Sequence, residues 1–273
     1  MSAPASAASG PLDVTTPPTV PAVAWKPVLL MGGALGVVLL AVSARYGYHR
    51  DELYFRVAGR HLAWGYPDQP PLLPVLVRAI TAVFGDSLVA LRVPSALLAA
   101  CGMLVAALTA REMGGGRRAQ LLRWLADTPQ PVVNADSAET VGWPRFAARV
   151  AAVRDALPPG ERAAATIVVS NYGEAGALDR YGPALGLPRA YSGHNGYWYF
   201  GRPPDGRGPT IVVGPEDVAE GAGLRRYWTD VRPVGRIDNG VGLDNQEQGK
   251  PVWVCRGQRA PWTELWPEFR RLS

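Results

Sequence analysis

Residues 46–72 read YGYHRDELYFRVAGRHLAWGYPDQPPL and lie between two stretches of sequence that carry no charge. The adjacent carboxylates Asp51 and Glu52 come soon after the first of these stretches, among arginine, histidine and tyrosine. Ionisable groups are costly to hold beside lipid, so those next to a membrane span are functional candidates by default. The sequence therefore predicts that the chemistry lies in residues 45–92, which we name the Asp-Glu loop.

The two uncharged stretches, residues 27–44 and residues 93–110, flank the Asp-Glu loop. A helix of that length, at ~1.5 Å per residue, approaches the ~30 Å thickness of a bilayer's hydrocarbon core. The sequence predicts two transmembrane helices here. An alternative for the first is a signal peptide cleaved after Ala44, although the long tail before it lacks a basic region.

Two short helices are expected inside the Asp-Glu loop. The first follows Asp51, a suitable N-cap, and runs toward Leu62. The second follows Pro70-Pro71 and carries apolar residues at helical spacing as far as Phe84. An amphipathic segment of this length suits a membrane interface. An ordinary packed helix remains an equal alternative.

Composition limits the function classes. The chain has 273 residues, of which 48% are hydrophobic, and the apolar residues concentrate before residue 110. The net charge of +5 accompanies no Lys/Arg stripe interleaved with stacking aromatics, so no nucleic-acid partner is expected. Cys101 and Cys255 imply neither a disulfide framework nor a zinc site.

After residue 120 the pattern changes to alternating strands and helices. Strands are expected at residues 164–169, 210–214, 231–237 and 252–255, with helices at 143–157, 171–178 and 215–227. This alternation is typical of a small α/β layer domain. The predicted organisation is a disordered tail (1–25), an α-helical membrane region of two transmembrane helices plus interfacial helices (26–120), and a soluble α/β domain (121–273).

Several motifs together resemble a known family. In the Asp-Glu loop they are Asp51-Glu52-Leu53-Tyr54, His61-Leu62, Gly65-Tyr66 and Asp68-Gln69-Pro70-Pro71-Leu72, continued by Phe84-Gly85-Asp86-Ser87, Ala90-Leu91-Arg92 and residues 114–120. These resemble the first extracytoplasmic loop of bacterial glycosyltransferases related to protein O-mannosyltransferases (glycosyltransferase family 39). Residues 170–178 and 192–198 resemble the C-terminal soluble domain of the same enzymes. The family's enzymes are polytopic GT-C glycosyltransferases that use polyprenyl-phosphate sugars as donors.

The resemblance implies roles for particular residues. Asp51 would take the acceptor's proton, directly or through a bound divalent metal (Mg or Mn), with Glu52 supporting it. Candidates for the donor phosphate are His49, Arg50 and His61; candidates for sugar or acceptor contact are Tyr54, Tyr66, Asp68 and Gln69. In the soluble domain, a loop with His194, Asn195 and Trp198 suits carbohydrate or headgroup contact. The alternatives are helix capping by Asp51, snorkelling cations and interfacial aromatics.

The resemblance also implies that a block of transmembrane helices is missing near residues 120–124. Two crossings return a chain to its starting side, so the α/β domain would share a membrane face with the N-terminus and not with the Asp-Glu loop. The expected function is a plasma-membrane, integral multi-pass glycosyltransferase acting on a protein, lipid or glycan hydroxyl, with the lipid bilayer and the polyprenyl-phosphate sugar as partners. The alternatives are a non-catalytic, membrane-anchored α/β remnant or binding module, and a secreted binding protein.

Overall fold

The computed structural model describes residues 22–113, 139–214, 221–241 and 245–272, and these pack as two compact units. The first unit comprises the described residues up to Leu39 and from Ser95 to 113. The second comprises Leu40–Pro94 and the described residues from 139 onward. Most of the predicted tail, the predicted boundary at residue 120 and the predicted join at residues 120–124 lie outside the described residues.

The N-terminal half contains four helices in its described part: α1 (Trp25–Val42), α2 (Arg50–Ala58), α3 (Leu72–Phe84) and α4 (Leu88–Glu112). In the first unit, α1 and α4 pack through small residues. A Cβ at Gly32 would lie 3.2 Å from the carbonyl oxygen of Ala100, and Ala107 is buried. By length and composition, α1 and α4 are the two candidate membrane spans among the described residues.

The two short helices of the Asp-Glu loop both form. The N-cap of α2 is His49 and not Asp51, so the predicted cap is wrong by two residues: the His49 side chain accepts the Asp51 backbone N–H at 3.3 Å. The Glu52 carboxylate accepts the backbone N–H of His49 at 2.8 Å, which completes a capping box. The helix α3 starts directly after Pro71, as predicted.

The described residues from 139 onward fold as a mixed α/β layer. The helices are α5 (Trp143–Asp155), α6 (Pro159–Arg162), α7 (Tyr172–Tyr181), α8 (Gly196–Tyr199) and α9 (Trp262–Leu265), with single 3₁₀ turns at Pro183–Leu185, Leu224–Arg226 and Trp266–Phe269. The strands are β1 (Thr166–Val169), β2 (Ala190–Ser192), β3 (Thr210–Val213), β4 (Trp228–Arg236) and β5 (Pro251–Gln258). These five described strands form one sheet in the order β2-β1-β3-β5-β4.

The sheet is parallel on one side and antiparallel on the other. β1 pairs in parallel with β2 and β3, whereas β5 pairs antiparallel with β3 and β4. Ile167 on β1 stands opposite Ala190 and Ile211, so the centre of the sheet is apolar. The predicted α/β region is confirmed. Strand β2 was missed because it is only three residues long, and residues 215–220 of the predicted helix 215–227 lie outside the described chain.

We name the described residues from 139 onward the α/β unit. The Asp-Glu loop contributes to the core of this α/β unit. Leu53 of α2 is fully buried in the same apolar cluster as Phe146 and Ile167. The two helices α2 and α7 approach closely because α7 carries glycine where they meet: a Cβ at Gly176 would lie 2.8 Å from Leu53 Cβ. The structure therefore packs together the two parts of the chain that the sequence placed on opposite membrane faces.

Candidate active site

Asp51 lies in the first turn of α2, where this helix meets the start of α7. Its side chain is 43% exposed. The Tyr172 hydroxyl donates a hydrogen bond of 2.9 Å to Asp51 Oδ1, and His49 Nδ1 lies 3.6 Å from Asp51 Oδ2. The protein therefore holds the carboxylate while leaving part of it open to solvent.

Tyr172 is the residue that the sequence analysis missed. It is the first residue of α7, and Asn171 caps that helix by accepting the Glu174 N–H at 2.9 Å. Burial raises the pKa of Tyr172 to about 12, against the lowering effect of the Arg50 guanidinium, so its hydroxyl keeps its proton at neutral pH. The sequence signal that could have identified Tyr172 is its position just after a predicted strand. Ligands in α/β sheets gather at the carboxyl ends of strands.

The Glu52 carboxylate is held in a salt bridge with Arg92. Arg92 binds it in a bidentate manner, with Nε 2.6 Å from Oε1 and Nη2 2.7 Å from Oε2. The same guanidinium is buried and donates to the carbonyl oxygens of Ser43 and Gly47. Such paired charge-assisted hydrogen bonds have strict geometry. Glu52 and Arg92 therefore tie α2 to the start of α4, and the catalytic role of Glu52 stays a prediction.

Arg50 points into the α/β unit and is nearly buried. It donates to Gln246 Oε1 through Nη1, and this nitrogen lies 3.9 Å from a carboxylate oxygen of Glu139. Its guanidinium carbon lies 4.9 Å from the centre of the Tyr172 ring. Arg50 Nε has no hydrogen-bond partner among the described residues. A positive charge is thus held beside Asp51 with part of its donor capacity unused.

The residues predicted to contact sugar or acceptor mostly form hydrogen bonds within the Asp-Glu loop. The Tyr54 hydroxyl donates to Asp68 Oδ1 at 2.8 Å, and the Tyr54 ring lies 4.8 Å from that of Tyr172. The Tyr66 hydroxyl accepts the Ala63 N–H and contacts the carbonyl oxygens of Ala58 and His61. Gln69 accepts the Tyr66 N–H through its backbone. Tyr54 and Asp68 therefore border the site, whereas Tyr66 and Gln69 shape a turn.

His61 lies beyond the end of α2, away from Asp51. The seven helical steps from Asp51 to Ala58, at ~1.5 Å each, place the end of α2 about 10 Å from Asp51 along the axis. The His61 ring stacks on Phe200, with centroids 4.6 Å apart. Burial lowers its pKa, and the charges of Arg189 and Arg60 lower it further. The structure places His61 away from Asp51, and its role at the donor phosphate stays a prediction.

The loop predicted to contact carbohydrate or headgroups, with His194, Asn195 and Trp198, lies only partly at the site. The His194 ring stacks on Tyr172 at 5.0 Å, so this residue does join the site. Burial lowers the pKa of His194 to about 4, helped by Arg271 and Arg50, and the ring is neutral at physiological pH. Asn195 is buried at the turn beside it, with φ of 49°. Trp198 instead donates to the carbonyl oxygen of Trp266 and lies outside the site.

A buried network of charged residues lies at the start of α7, next to Tyr172. Glu174 is fully buried and accepts from Lys250 Nζ at 2.7 Å and from the Ser170 N–H at 2.7 Å. Glu247 lies 3.7 Å from the same ammonium and accepts from Asn171 Nδ2 at 3.2 Å. Two carboxylates share one ammonium here, and burial raises the pKa of Glu247 to about 7.

The predicted Mg or Mn ion at Asp51 stays a prediction. Mg²⁺ usually keeps several waters and is bound through one or two carboxylates together with substrate phosphates. Asp51 has the His49 nitrogen, the Tyr172 hydroxyl and the Arg50 cation around it. No group of three or more metal-ligating side chains occurs among the described residues. The mechanism proposed below is written through the protein's own groups.

Comparison with known proteins supports the family resemblance over part of the chain. Residues 68–141 match the family model described as Dolichyl-phosphate-mannose-protein mannosyltransferase. The match is about a quarter of the chain, begins after Asp51, and contains Asp68, Gln69 and Arg92. Neither the curated proteins nor the solved structures give a match. Over residues 68–141 the chain is thus similar to glycosyltransferases of the protein mannosyltransferase type.

Proposed function

We propose that this protein is a membrane glycosyltransferase that moves a sugar from a polyprenyl-phosphate donor to a hydroxyl acceptor. The family match over residues 68–141 supports a mannosyltransferase-like activity with a lipid-linked donor and a membrane context. The two long apolar helices, α1 and α4, are consistent with a multi-pass protein of the plasma membrane. The acceptor is a hydroxyl on a protein, a lipid or a glycan.

The environment of Asp51 carries this proposal. A general base must be partly accessible and fixed within hydrogen-bond reach of the proton that it removes. Asp51 is half-exposed, and the Tyr172 hydroxyl orients it through a 2.9 Å hydrogen bond. We assign Asp51 as the base and Tyr172 as a positioning residue.

The transfer is a single displacement with inversion. The acceptor oxygen attacks the anomeric carbon of the sugar while its proton passes to Asp51. The bond between the anomeric carbon and the phosphate oxygen breaks, and its electron pair leaves with the polyprenyl phosphate. Cations near the departing phosphate stabilise the charge that develops there. Arg50, with its unused Nε, is assigned to this role, and His49 is assigned as a hydrogen-bond donor through Nε2.

Transfer from a labelled polyprenyl-phosphate sugar tests the proposal. Asp51→Asn keeps the size of the side chain and removes its basicity, so the rate is expected to fall roughly 10²–10⁴-fold. The matched control is Asp230→Asn on strand β4, whose carboxylate is paired with Arg232 at the surface. Equal rates for Asp51→Asn and the wild type would exclude Asp51 as the base.

A non-catalytic, membrane-anchored α/β module is the second candidate. The observation that favours it is the limited family match, which leaves Asp51 and everything after residue 141 unmatched. Folded wild-type protein that transfers no sugar from any polyprenyl-phosphate donor would support this candidate. The predicted loss of a transmembrane block belongs to the same hypothesis.

A further inference from the structure

Four arginines surround a groove between α2 and α3, on the opposite end of α2 from Asp51. The groove has a volume of about 320 Å³ and is lined by Arg56, Arg60, Arg78, Thr81, Ala82, Gly85 and Asp86, with Arg180 adjoining. The two helices approach closely at Gly59, where a Cβ would lie 3.1 Å from the carbonyl oxygen of Pro74.

Among the described residues, Asp86 is the only carboxylate that lines the groove, and it already has three partners. It pairs with Arg56 and, at 2.7 Å, with Arg180, and it accepts the Tyr48 hydroxyl at 2.9 Å. Within the described residues, neither Arg60 nor Arg78 has a carboxylate within 4.0 Å. The groove thus holds an excess of positive charge.

Arg56 adds an unsatisfied donor to this charge. Its side chain is only 9% exposed, and its Nε has no hydrogen-bond partner among the described residues. Burial lowers the pKa of its guanidinium, which Asp86 opposes and the neighbouring Arg180 and Arg60 reinforce. Asp86 is its anionic partner, so one carboxylate serves both Arg56 and Arg180, while Arg60 and Arg78 have none among the described residues. The groove can therefore accept a further anion.

The outer face of α3 indicates which anion is suitable. Pro74 and Val77 are buried, whereas these other apolar residues of α3 are exposed to solvent: Leu72, Leu73, Val75, Leu76, Val83 and Phe84. Arg78 follows Val77 and lies on the flank between the two faces. A helix with one apolar face and cations at its border is suited to the boundary between headgroups and acyl chains.

We propose that this groove binds the phosphate of an anionic bilayer phospholipid, with the lipid's chains lying along the exposed face of α3. Guanidinium groups bind phosphate oxygens in a bidentate fashion, and Arg60 and Arg78 supply them, with the charge of Arg56 beside them. Arg56 is five residues beyond Asp51, about 7.5 Å along the helix, and Arg60 is farther. The phosphate in the groove is therefore distinct from that of a sugar donor at Asp51, and this proposal stands independently of the proposed function.

The test measures lipid binding by the full chain purified in a non-ionic detergent. Phosphatidylglycerol, phosphatidylcholine with the same chains, and inorganic phosphate are titrated separately, with the thermal unfolding midpoint as the readout. Phosphatidylglycerol is expected to raise the midpoint in a saturable, salt-sensitive manner, and phosphatidylcholine is not. The double variant Arg60→Gln/Arg78→Gln should bind phosphatidylglycerol roughly tenfold more weakly or worse, since each cation near an anionic lipid surface contributes favourably.

Two further variants make the result specific. Arg207→Gln/Arg225→Gln removes the same charge from exposed positions on the α/β unit and should bind like the wild type. Leu76→Ser/Val83→Ser should weaken phosphatidylglycerol binding without changing the response to inorganic phosphate. Unchanged binding by Arg60→Gln/Arg78→Gln, or equal responses to the two lipids, would overturn the proposal. Saturation by inorganic phosphate at the same concentration as phosphatidylglycerol would overturn its lipid part.

Discussion

The Tyr172 hydroxyl lies 2.9 Å from Asp51 Oδ1 and joins two residues that are 121 positions apart in the chain. One belongs to the first turn of α2 and the other begins the helix that follows strand β1. Asp51 is thereby brought to the carboxyl ends of the parallel strands, the edge at which open α/β sheets bind ligands. The Asp-Glu loop and the α/β unit form one candidate site between them.

Replacing Tyr172 by phenylalanine tests whether this hydrogen bond positions the base. The ring contacts with Tyr54, His194 and Arg50 do not need the hydroxyl, so the fold should be retained. Loss of a hydrogen bond to a charged group is expected to lower the rate of sugar transfer about tenfold. The initial rate with a labelled polyprenyl-phosphate sugar is the measurement.

Tyr227→Phe is the control for this substitution. The Tyr227 hydroxyl also donates to a carboxylate, Glu268 Oε2 at 3.2 Å, but at the surface and far from Asp51 in the fold. Its transfer rate should equal that of the wild type. If Tyr172→Phe transfers sugar as fast as Tyr227→Phe, the hydrogen bond has no part in positioning the base.

The sequence predicted the elements of the fold well because their signals are local. Uncharged stretches located α1 and α4 to within a few residues, and Pro70-Pro71 located the start of α3. The apolar run of strand β1 and the helix that follows it were also predicted. The predicted cap Asp51 was displaced to His49 because Glu52 completes a capping box with His49 instead.

The site was less predictable because its contacts join distant parts of the chain. Family resemblance predicted a role for Asp51, and side-chain chemistry suggested Arg50 and His194, but no local pattern in the sequence connects these residues to Tyr172. His61 was grouped with them by residue type, and the structure separates it by the length of α2. Spacing along a sequence cannot reveal which side chains a tertiary interface will bring together.

Gly176→Ala is expected to destabilise the packing of α2 on α7. The added Cβ would lie 2.8 Å from Leu53 Cβ and 3.0 Å from the Leu53 carbonyl carbon, so backbone must shift. Overpacking of this kind costs about 1–3 kcal/mol, more than alanine gains in helix propensity. The thermal unfolding midpoint should fall.

A matched substitution separates this clash from the general effect of adding a methyl group. At Gly160, in the short helix α6, an added Cβ has no atom within 4 Å. Gly160→Ala is expected to leave the midpoint unchanged or slightly raised. A Gly176→Ala midpoint at or above that of Gly160→Ala would show that the close approach of α2 and α7 is absent from the protein in solution.

Glu247→Gln should change how stability depends on pH. Burial raises the pKa of folded Glu247 to about 7, whereas an unfolded glutamate titrates near ~4.3. The folded protein therefore binds the proton more tightly, and this contribution to stability is present below pH ~4 and lost as the pH rises through 7. At alkaline pH the wild type holds a buried, ionised carboxylate, which lowers its stability. The variant carries no such charge.

The measurement is the difference in free energy of unfolding between Glu247→Gln and the wild type at pH 5 and pH 8. The difference should shift in favour of the variant at pH 8, by on the order of 2–3 kcal/mol. Glu268→Gln, at an exposed carboxylate, should give a difference that is nearly independent of pH. A pH-independent difference for Glu247→Gln would contradict the buried, proton-binding carboxylate that the structure places beside Lys250.

The last prediction concerns membrane topology. If α1 and α4 both cross the bilayer, their connection, the Asp-Glu loop, lies on one face. The hydrogen bond from Tyr172 to Asp51 and the packing of α2 on α7 require the α/β unit to lie on that same face. The sequence alone predicted the opposite, because two crossings return the chain to its starting side.

Single cysteines distinguish these arrangements in sealed vesicles. Gly65→Cys in the loop and Arg207→Cys in the α/β unit both lie at exposed positions, and each is placed in a Cys101→Ala background because the native Cys101 is exposed. A membrane-impermeant maleimide should label both or neither in vesicles of one orientation. Cys255 is buried and should stay unlabelled in the folded protein. Labelling of Gly65→Cys and Arg207→Cys from opposite faces would mean that the Asp51–Tyr172 site does not assemble in the membrane, because neither residue could then reach the other.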